Sequence, residues 1–252
     1  MKSKTKKILD IALPLFSICL ILVFWAAASI AVNNKFIMPS IKETLAEFFN
    51  LFAETSFYRA LGGTLLRTLI AFCISFIIAF GCALLSEKYY VARKIISPIV
   101  KITRALPTIA VVLLLMFWAS SYVAPVIVTV LVVFPTMFTE ISANIRSLDK
   151  DQQEMCKVFG VSKKERMFKV IIPQISPELL RSAGAGFSLN LKLMVAAEVI
   201  AQTAYSMGYL LNSAKINFET ATLLALVIVS VIIGTVIEQA LRLIAEKTAR
   251  WK

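Results

Sequence analysis

The sequence predicts an all-α membrane protein with six transmembrane helices and with both termini on one side of the membrane. Hydrophobic residues make up 59% of the 252 residues and charged residues only 17%, whereas soluble domains carry about 25% charged residues. Crossing a hydrocarbon core of roughly 30 Å takes about 20 helical residues. Uncharged runs of 24, 19, 35 and 18 residues cover 11–34, 68–86, 105–139 and 220–237. Such runs exclude a soluble enzyme.

The first uncharged run predicts a retained transmembrane helix over 11–34, after a basic tail at 1–10. A signal-peptide core has roughly 7–15 apolar residues, and this run is longer, with no small-residue cleavage site closing it. An external segment follows at 35–62, in which apolar and charged residues alternate at helical spacing over 41–57. We expect this amphipathic helix to lie on the outer membrane surface.

The rest of the chain predicts one membrane domain over 63–241. The run of 35 uncharged residues is too long for one crossing, and Ser120, Ser121 and Pro125 favour a turn near its middle. The predicted helices are 63–86, 98–120, 122–140, 182–204 and 220–241, joined by a long loop at 142–181 and followed by a tail at 242–252.

The distribution of basic residues predicts the orientation. Of the 27 Lys and Arg residues, 21 fall in the two tails, in the gap after the second helix and in the 142–181 loop. The positive-inside rule therefore places both termini and this loop in the cytoplasm, and 35–60 and 212–219 outside. A net charge of +12 also fits nucleic-acid binding, but the segregation of charge by loop makes that the weaker interpretation.

No metal centre is predicted. The chain contains no histidine. Three of its four cysteines, Cys19, Cys73 and Cys82, lie in apolar segments, and their spacing fits small buried hydrophobes better than metal ligands or a disulfide framework.

The 142–181 loop carries the most informative pattern, which predicts a helical hairpin. Gly160 favours the left-handed conformation that ends a helix, and the spacing of Ser162 and Glu165 predicts a capping box that starts the next one. We expect Pro173 to limit that second helix. A compact hairpin of this kind can dock a partner, and its candidate residues are Glu154, Met155, Cys156, Gly160, Ser162, Glu165, Phe168 and Pro173.

This loop resembles the EAA coupling motif of type I ABC importer permeases, with Glu154, Gly160 and Pro173 at the fixed spacing. Conservative departures stand at Met155 and Cys156, which replace the alanines of the motif, and at Val170 and Ile172.

Four further segments resemble the permease subgroup for nitrate, sulfonates, taurine and thiamine-precursor pyrimidines: 38–40, 104–107, 195–198 and 207–211. The resemblance implies a prokaryotic inner-membrane protein that forms a homodimer. It also implies two cytoplasmic ATPase subunits, which bind ATP and Mg, and an extracytoplasmic solute-binding protein. No glycine is followed by lysine, so the chain lacks a Walker A loop of its own.

Three polar residues near the end of the fifth helix are candidates for the solute pathway. An ionisable group inside a membrane usually faces a cavity or a partner. Lys192 and Glu198 lie about 120° apart on a helix, so they cannot pair with each other, whereas Gln202 shares the side of Glu198. Glu198 either lines the pathway or holds a structural ion pair with another helix. Ser182, Gly186 and Asn190, spaced by four, favour helix packing.

A secondary transporter or channel is the alternative function. Such proteins place several ionisable groups or broken helices at mid-membrane, and this sequence offers chiefly Lys192 and Glu198. A membrane enzyme is a third hypothesis, but this sequence lacks the histidine and the clustered intramembrane carboxylates that acid–base or metal chemistry uses. The sequence does not name the solute.

Overall fold

The computed structural model describes residues 2–148, 155–156, 158–162 and 165–249. Glu154 and Lys163 therefore lie outside the described residues, and so does the side chain of Phe168. Within these ranges every regular element is a helix, and there is no strand. Its helices are α1 Lys2–Val32, α2 Ile41–Leu51, α3 Thr55–Lys88, α4 Tyr90–Ala105, α5 Thr108–Leu115, α6 Ala124–Arg146, α7 Ile172–Ala201, α8 Met207–Ile216 and α9 Thr220–Ala249.

The number of membrane crossings agrees with the sequence. Five described helices, α1, α3, α6, α7 and α9, are long and apolar enough to cross a membrane, and the bent pair α4–α5 makes a sixth when its two helices are counted as one broken span. The chain divides into two compact units, Met1–Tyr58 with Leu210–Val229, and Arg59–Tyr209 with Ser230–Lys252.

In the first unit, α2 begins at a complete capping box. The hydroxyl of Ser40 accepts a hydrogen bond from the Glu43 amide at 3.2 Å, and the Glu43 carboxylate accepts one from the Ser40 amide at 2.9 Å. The bond from Ser40 lowers the pKa of Glu43. Trp25 of α1 donates to the Pro39 carbonyl at 3.0 Å, which ties α1 to this cap.

The predicted amphipathic helix over 41–57 is shorter than expected. It ends at Leu51, because the next three residues form tight turns, with the Glu54 amide bonded to the Leu51 carbonyl. The hydroxyl of Tyr58 donates to the Phe52 carbonyl at 2.9 Å. The following helix therefore begins at Thr55 rather than near residue 63.

In the second unit, α6 and α7 pack closely through small residues. A Cβ atom at Gly186 would lie 2.3 Å from the sulfur of Met137, so glycine lets Met137 pack against α7 without having to shift. Asn190 donates to the Thr68 carbonyl at 2.6 Å, and Ser182 accepts from Asn144 at 3.3 Å. The packing role predicted for the residues at 182, 186 and 190 is confirmed.

The third predicted helix, 98–120, is wrong in its geometry. The structure has two helices there, bent by 91° at a break between Ala105 and Thr108. Pro107 disfavours helical geometry in the residue before it, and Leu106 is indeed extended, with ψ of 128°. Pro98 lies inside α4 rather than at the start of a helix.

The predicted 142–181 loop is also too long. Helix α6 continues to Arg146 rather than ending near residue 140, and α7 begins at Ile172 rather than near residue 182. The prediction that Pro173 limits the second helix of the hairpin is wrong. It stands in the first turn of α7, directly after the π-helical segment Arg166–Ile171. Proline cannot donate the backbone hydrogen bond of a regular α-helix, and the six residues before α7 depart from α-helical geometry rather than ending the helix. The short helix α8 between α7 and α9 was not predicted.

Helix α9 extends past the predicted end near residue 241 and continues to Ala249. Arg242 and Glu246 form an ion pair one turn apart at 3.3 Å. Helix α1 likewise begins at Lys2, well before the predicted residue 11.

Candidate functional site

The hairpin between α6 and α7 turns at Gly160. Residues 155 and 156 are helical, and the Val161 amide bonds to the Cys156 carbonyl at 3.0 Å, five residues back. This is the bond expected of a Schellman helix end, which needs a left-handed residue. Gly160 supplies it with φ of +66°. The predicted helix end is confirmed.

The second arm of the hairpin begins at the predicted cap. The Ser162 hydroxyl accepts from the Glu165 amide at 3.2 Å and donates to the Glu165 carboxylate at 2.9 Å. Lys169 pairs with the same carboxylate at 3.0 Å. The hydrogen bond from Lys169, together with that from Ser162, lowers the pKa of Glu165, so this cap keeps its charge at neutral pH.

A π-helical segment, Arg166–Ile171, runs from this cap directly into α7. Single π-helical turns are often found at functional sites. Its last residue, Ile171, packs with Leu148 and Ile175 in a small buried cluster. The root of the hairpin is therefore fixed to both α6 and α7.

The tip of the hairpin exposes apolar side chains. Val158 and Phe159 are 83% and 76% exposed, and Met155 is half-exposed, whereas Cys156 is buried. Exposed apolar residues grouped in this way are typical of a contact surface for another protein.

At the other end of α7, Glu198 forms a buried ion pair with Arg67 of α3. The Nε and Nη2 atoms of Arg67 each lie 2.8 Å from Oε1 of Glu198. The Glu198 side chain has no exposed surface, and that of Arg67 is 14% exposed. The second carboxylate oxygen accepts from the Thr64 hydroxyl at 2.7 Å and from the Gly208 amide at 3.4 Å.

The start of α8 is held against this ion pair. The Met207 amide donates to the Thr64 hydroxyl at 2.9 Å. A Cβ atom at Gly208 would lie 2.4 Å from the Cβ of Glu198 and 2.5 Å from the Val199 amide nitrogen. Because the second contact is to backbone, only glycine fits here. This accounts physically for the glycine in the 207–211 motif.

The turn between α7 and α8 is tight and anchored. Gln202 and Tyr205 both have left-handed backbones, with φ of 49° and 50°. Thr203 donates to the Ser121 carbonyl at 2.6 Å, and Ser206 caps α8 through the Tyr209 amide at 2.9 Å. We call Thr64, Arg67, Glu198 and Gly208 the ion-pair node.

The structure separates the three predicted pathway residues. Glu198 is buried in the ion-pair node, whereas Lys192 is exposed and Gln202 caps the end of α7 with an exposed side chain. Of the two roles left open for Glu198, the geometry favours the ion pair. Arg67 was missed, although an acidic residue within one transmembrane segment makes a basic residue within another a candidate partner.

Comparison with known proteins identifies the family. The model of the family described as "binding-protein-dependent transport system inner membrane component" matches residues 75–250. The taurine transport system permease protein TauC of Escherichia coli is 22% identical over 92% of this chain and 86% of its own. A putative ABC transporter permease protein of Methanocaldococcus jannaschii is 24% identical over 100% of this chain and 95% of its own.

A putative aliphatic sulfonates transport permease protein of Bacillus subtilis is 23% identical over 79% of this chain and 69% of its own. The fold is similar to that of a bacterial ABC transporter involved in import of the polysaccharide alginate, with a TM-score of 0.66, 17% identity and coverage of 98% of each chain. This chain is therefore a multi-pass inner-membrane protein, and it belongs to the family of binding-protein-dependent transport system inner membrane components, the permease subunits of ABC importers.

Proposed function

We propose that the hairpin receives an ATPase subunit and that α7 carries its motion to the ion-pair node. In this proposal two copies of the chain enclose the solute pathway, two cytoplasmic ATPase subunits bind ATP and Mg, and an external binding protein delivers the solute. This chain then performs no catalysis itself, and energy enters it only through the hairpin.

The continuity of one helix carries the proposal. The capped arm of the hairpin passes through the π-helical segment into α7 without a break, and α7 ends beside Glu198. Thirty residues of α-helix extend about 45 Å, enough to reach across a membrane. A rigid element that joins the docking surface to the far end of the molecule can bias both ends together.

The ion-pair node transmits the motion of α7 to neighbouring helices. Its bonds join α7 to α3 and to the start of α8. When α7 shifts, these elements move as one body, because breaking a buried ion pair costs more than moving it. Nucleotide binding then shifts the population between inward-open and outward-open arrangements.

The proposed solute is a small sulfonate of the taurine or alkanesulfonate type. The support is the naming of relatives for taurine and for aliphatic sulfonates. Nitrate and thiamine-precursor pyrimidines are the other solutes that the sequence resemblance implies.

Reconstitution of the purified complex tests the function. Vesicles that hold this chain with its ATPase and binding protein should take up labelled taurine or ethanesulfonate only with ATP present. Uptake by this chain alone, driven by an ion gradient, would contradict the proposal and support a secondary transporter. Competition by nitrate and by an aminopyrimidine in the same vesicles identifies the solute class.

A further inference from the structure

Helix α4 presents three distinct sides. At about 100° per residue, Ile96 and Val100 share one side, which packs into the core with α3 and α6. A second side, here called the apolar side, is exposed and consists of Val91, Ile95, Ile99 and Ile102, which are 50–67% exposed. A third, the basic side, is also exposed and consists of Lys94, Lys101 and Arg104.

The charge of α4 is of one sign. Its sixteen residues include four basic residues and no acidic one. Arg93 is used within the fold, because it pairs with Glu87 at 2.6 Å. Arg104 interacts electrostatically with the Glu140 carboxylate of α6. Lys101 forms no salt bridge in the described part of the chain, and Lys94 lies 5.4 Å from the ring centre of Tyr90. Lys94 and Lys101 on the basic side therefore remain available to an anion.

The spacing of the charges argues against an upright α4. Lys94 and Arg104 are ten residues apart, about 15 Å along a helix axis, or half of a hydrocarbon core of roughly 30 Å. An upright helix would carry one end's charge into the middle of the membrane. The 91° bend to the uncharged α5 allows α4 to lie along the surface while α5 enters the membrane.

We propose that α4 lies in the membrane interface and that its basic side binds the phosphate groups of anionic phospholipids. The apolar side then inserts among the acyl chains, and exposed Tyr90 occupies the headgroup region, where tyrosine is favoured. An amphipathic helix with basic residues beside an apolar face is the usual form of such an element. Its occupant is anionic lipid, because every uncommitted charge on this helix is positive.

Lipid binding by the purified full-length chain tests this inference. Native mass spectrometry should show phosphatidylglycerol retained in preference to phosphatidylcholine. The triple variant Lys94→Gln/Lys101→Gln/Arg104→Gln should lose that preference, by about fivefold in affinity for each cation removed. A matched variant, Lys35→Gln/Lys42→Gln/Lys215→Gln, removes three exposed cations from outside α4 and should keep it.

Two further variants keep the test decisive. Lys94→Arg/Lys101→Arg retains the charges and should bind phosphatidylglycerol as the unmodified chain does. A fluorophore on Ile99→Cys, in a chain without other cysteines, should be quenched by brominated lipids in nanodiscs. Three results would overturn the proposal. They are equal binding of both lipids, an equal loss of the phosphatidylglycerol preference in the matched variant, and no quenching at residue 99 because a second protein chain covers α4. Because the readout is lipid binding, it is independent of transport.

Discussion

At the residue scale, Gly208 determines whether α8 can meet α7. Its missing side chain brings the two backbones together, since an added Cβ would contact the Val199 nitrogen at 2.5 Å. We expect Gly208→Ala to lower the amount of folded protein and its melting temperature, because the obstructing atoms belong to a helix backbone. Size-exclusion chromatography with a thermal ramp measures both.

Gly81→Ala is the matched control for that experiment. Gly81 lies within α3 and has no atom within 4 Å of an added Cβ. Alanine there should be neutral or stabilising by about 0.5–1 kcal/mol, because it lowers the entropy lost on forming a helix. Equal melting temperatures for both variants would show that α7 and α8 do not meet at residue 208.

A second prediction at this scale concerns the ion pair. Glu198→Ala should destabilise the protein by about 3–5 kcal/mol, because it leaves Arg67 largely buried without its partner. Glu198→Gln should cost less, since an amide can still accept from Thr64, but it should lower transport more than it lowers the folded amount. The double change Glu198→Gln/Arg67→Gln should recover part of the stability.

Glu246→Gln provides the reference for an exposed charge. Its pair with Arg242 lies at the surface and should contribute about 0.3–0.5 kcal/mol. Two results would contradict this role of the ion pair. One is a double-mutant cycle on Glu198 and Arg67 that shows no coupling energy, and the other is normal solute uptake by Glu198→Ala at normal expression.

The helix end at Gly160 and the helix cap at Ser162 were predictable from the sequence, because such caps depend on residues only a few positions apart. The partner of Glu198 was not. Arg67 lies 131 residues away, and no local rule connects them. The only indication was that an unpaired charge within a membrane costs free energy, so opposite charges in two membrane segments favour pairing.

At the element scale, the hairpin cap should fix where the second arm begins. Ser162→Ala removes the hydroxyl that bonds the Glu165 amide, at a cost of about 1 kcal/mol to the helix start. Because this cap stands outside the spanning helices, we expect normal insertion with weaker retention of the ATPase subunit. Co-purification at increasing salt measures retention.

Ser162→Asp is the rescue variant, because aspartate also caps helices well. It should retain the ATPase as the unmodified chain does. Equal retention by Ser162→Ala would mean that the cap plays no part in docking.

The helices themselves were easier to predict than their ends. Long uncharged runs identify a span whatever surrounds it, so the crossings α1, α3, α6 and α9 were expected from them. Pro107 and Pro173 were harder to interpret, because a proline breaks a helix in one setting and begins one in another. Helix α8 was missed because its short sequence packs through Gly208 rather than through a long apolar run.

At the scale of the whole molecule, the charge distribution predicts the topology. In a cysteine-free chain, Lys42→Cys should react with an impermeant maleimide in intact cells, whereas Lys163→Cys should react only after permeabilisation. The reverse pattern would invert the orientation and place the hairpin outside, where no ATPase could reach it.

In the proposed mechanism the hairpin and α7 form one mechanical element. It requires a left-handed residue at the turn, so the two arms keep their angle when the ATPase moves. A β-branched residue in that conformation costs roughly 1–2 kcal/mol, whereas asparagine adopts it readily. Gly160→Val and Gly160→Asn therefore differ in backbone strain while both add a side chain at a position with open space around it.

The most direct measurement is the ratio of solute uptake to ATP hydrolysis in vesicles that contain the complete transporter. We expect Gly160→Val to insert normally and to lower this ratio, or to lose the ATPase, by roughly tenfold, in line with the strain at one left-handed residue. Gly160→Asn should keep the ratio near that of the unmodified chain. Unchanged retention, hydrolysis and uptake in Gly160→Val would contradict the coupling role of the hairpin.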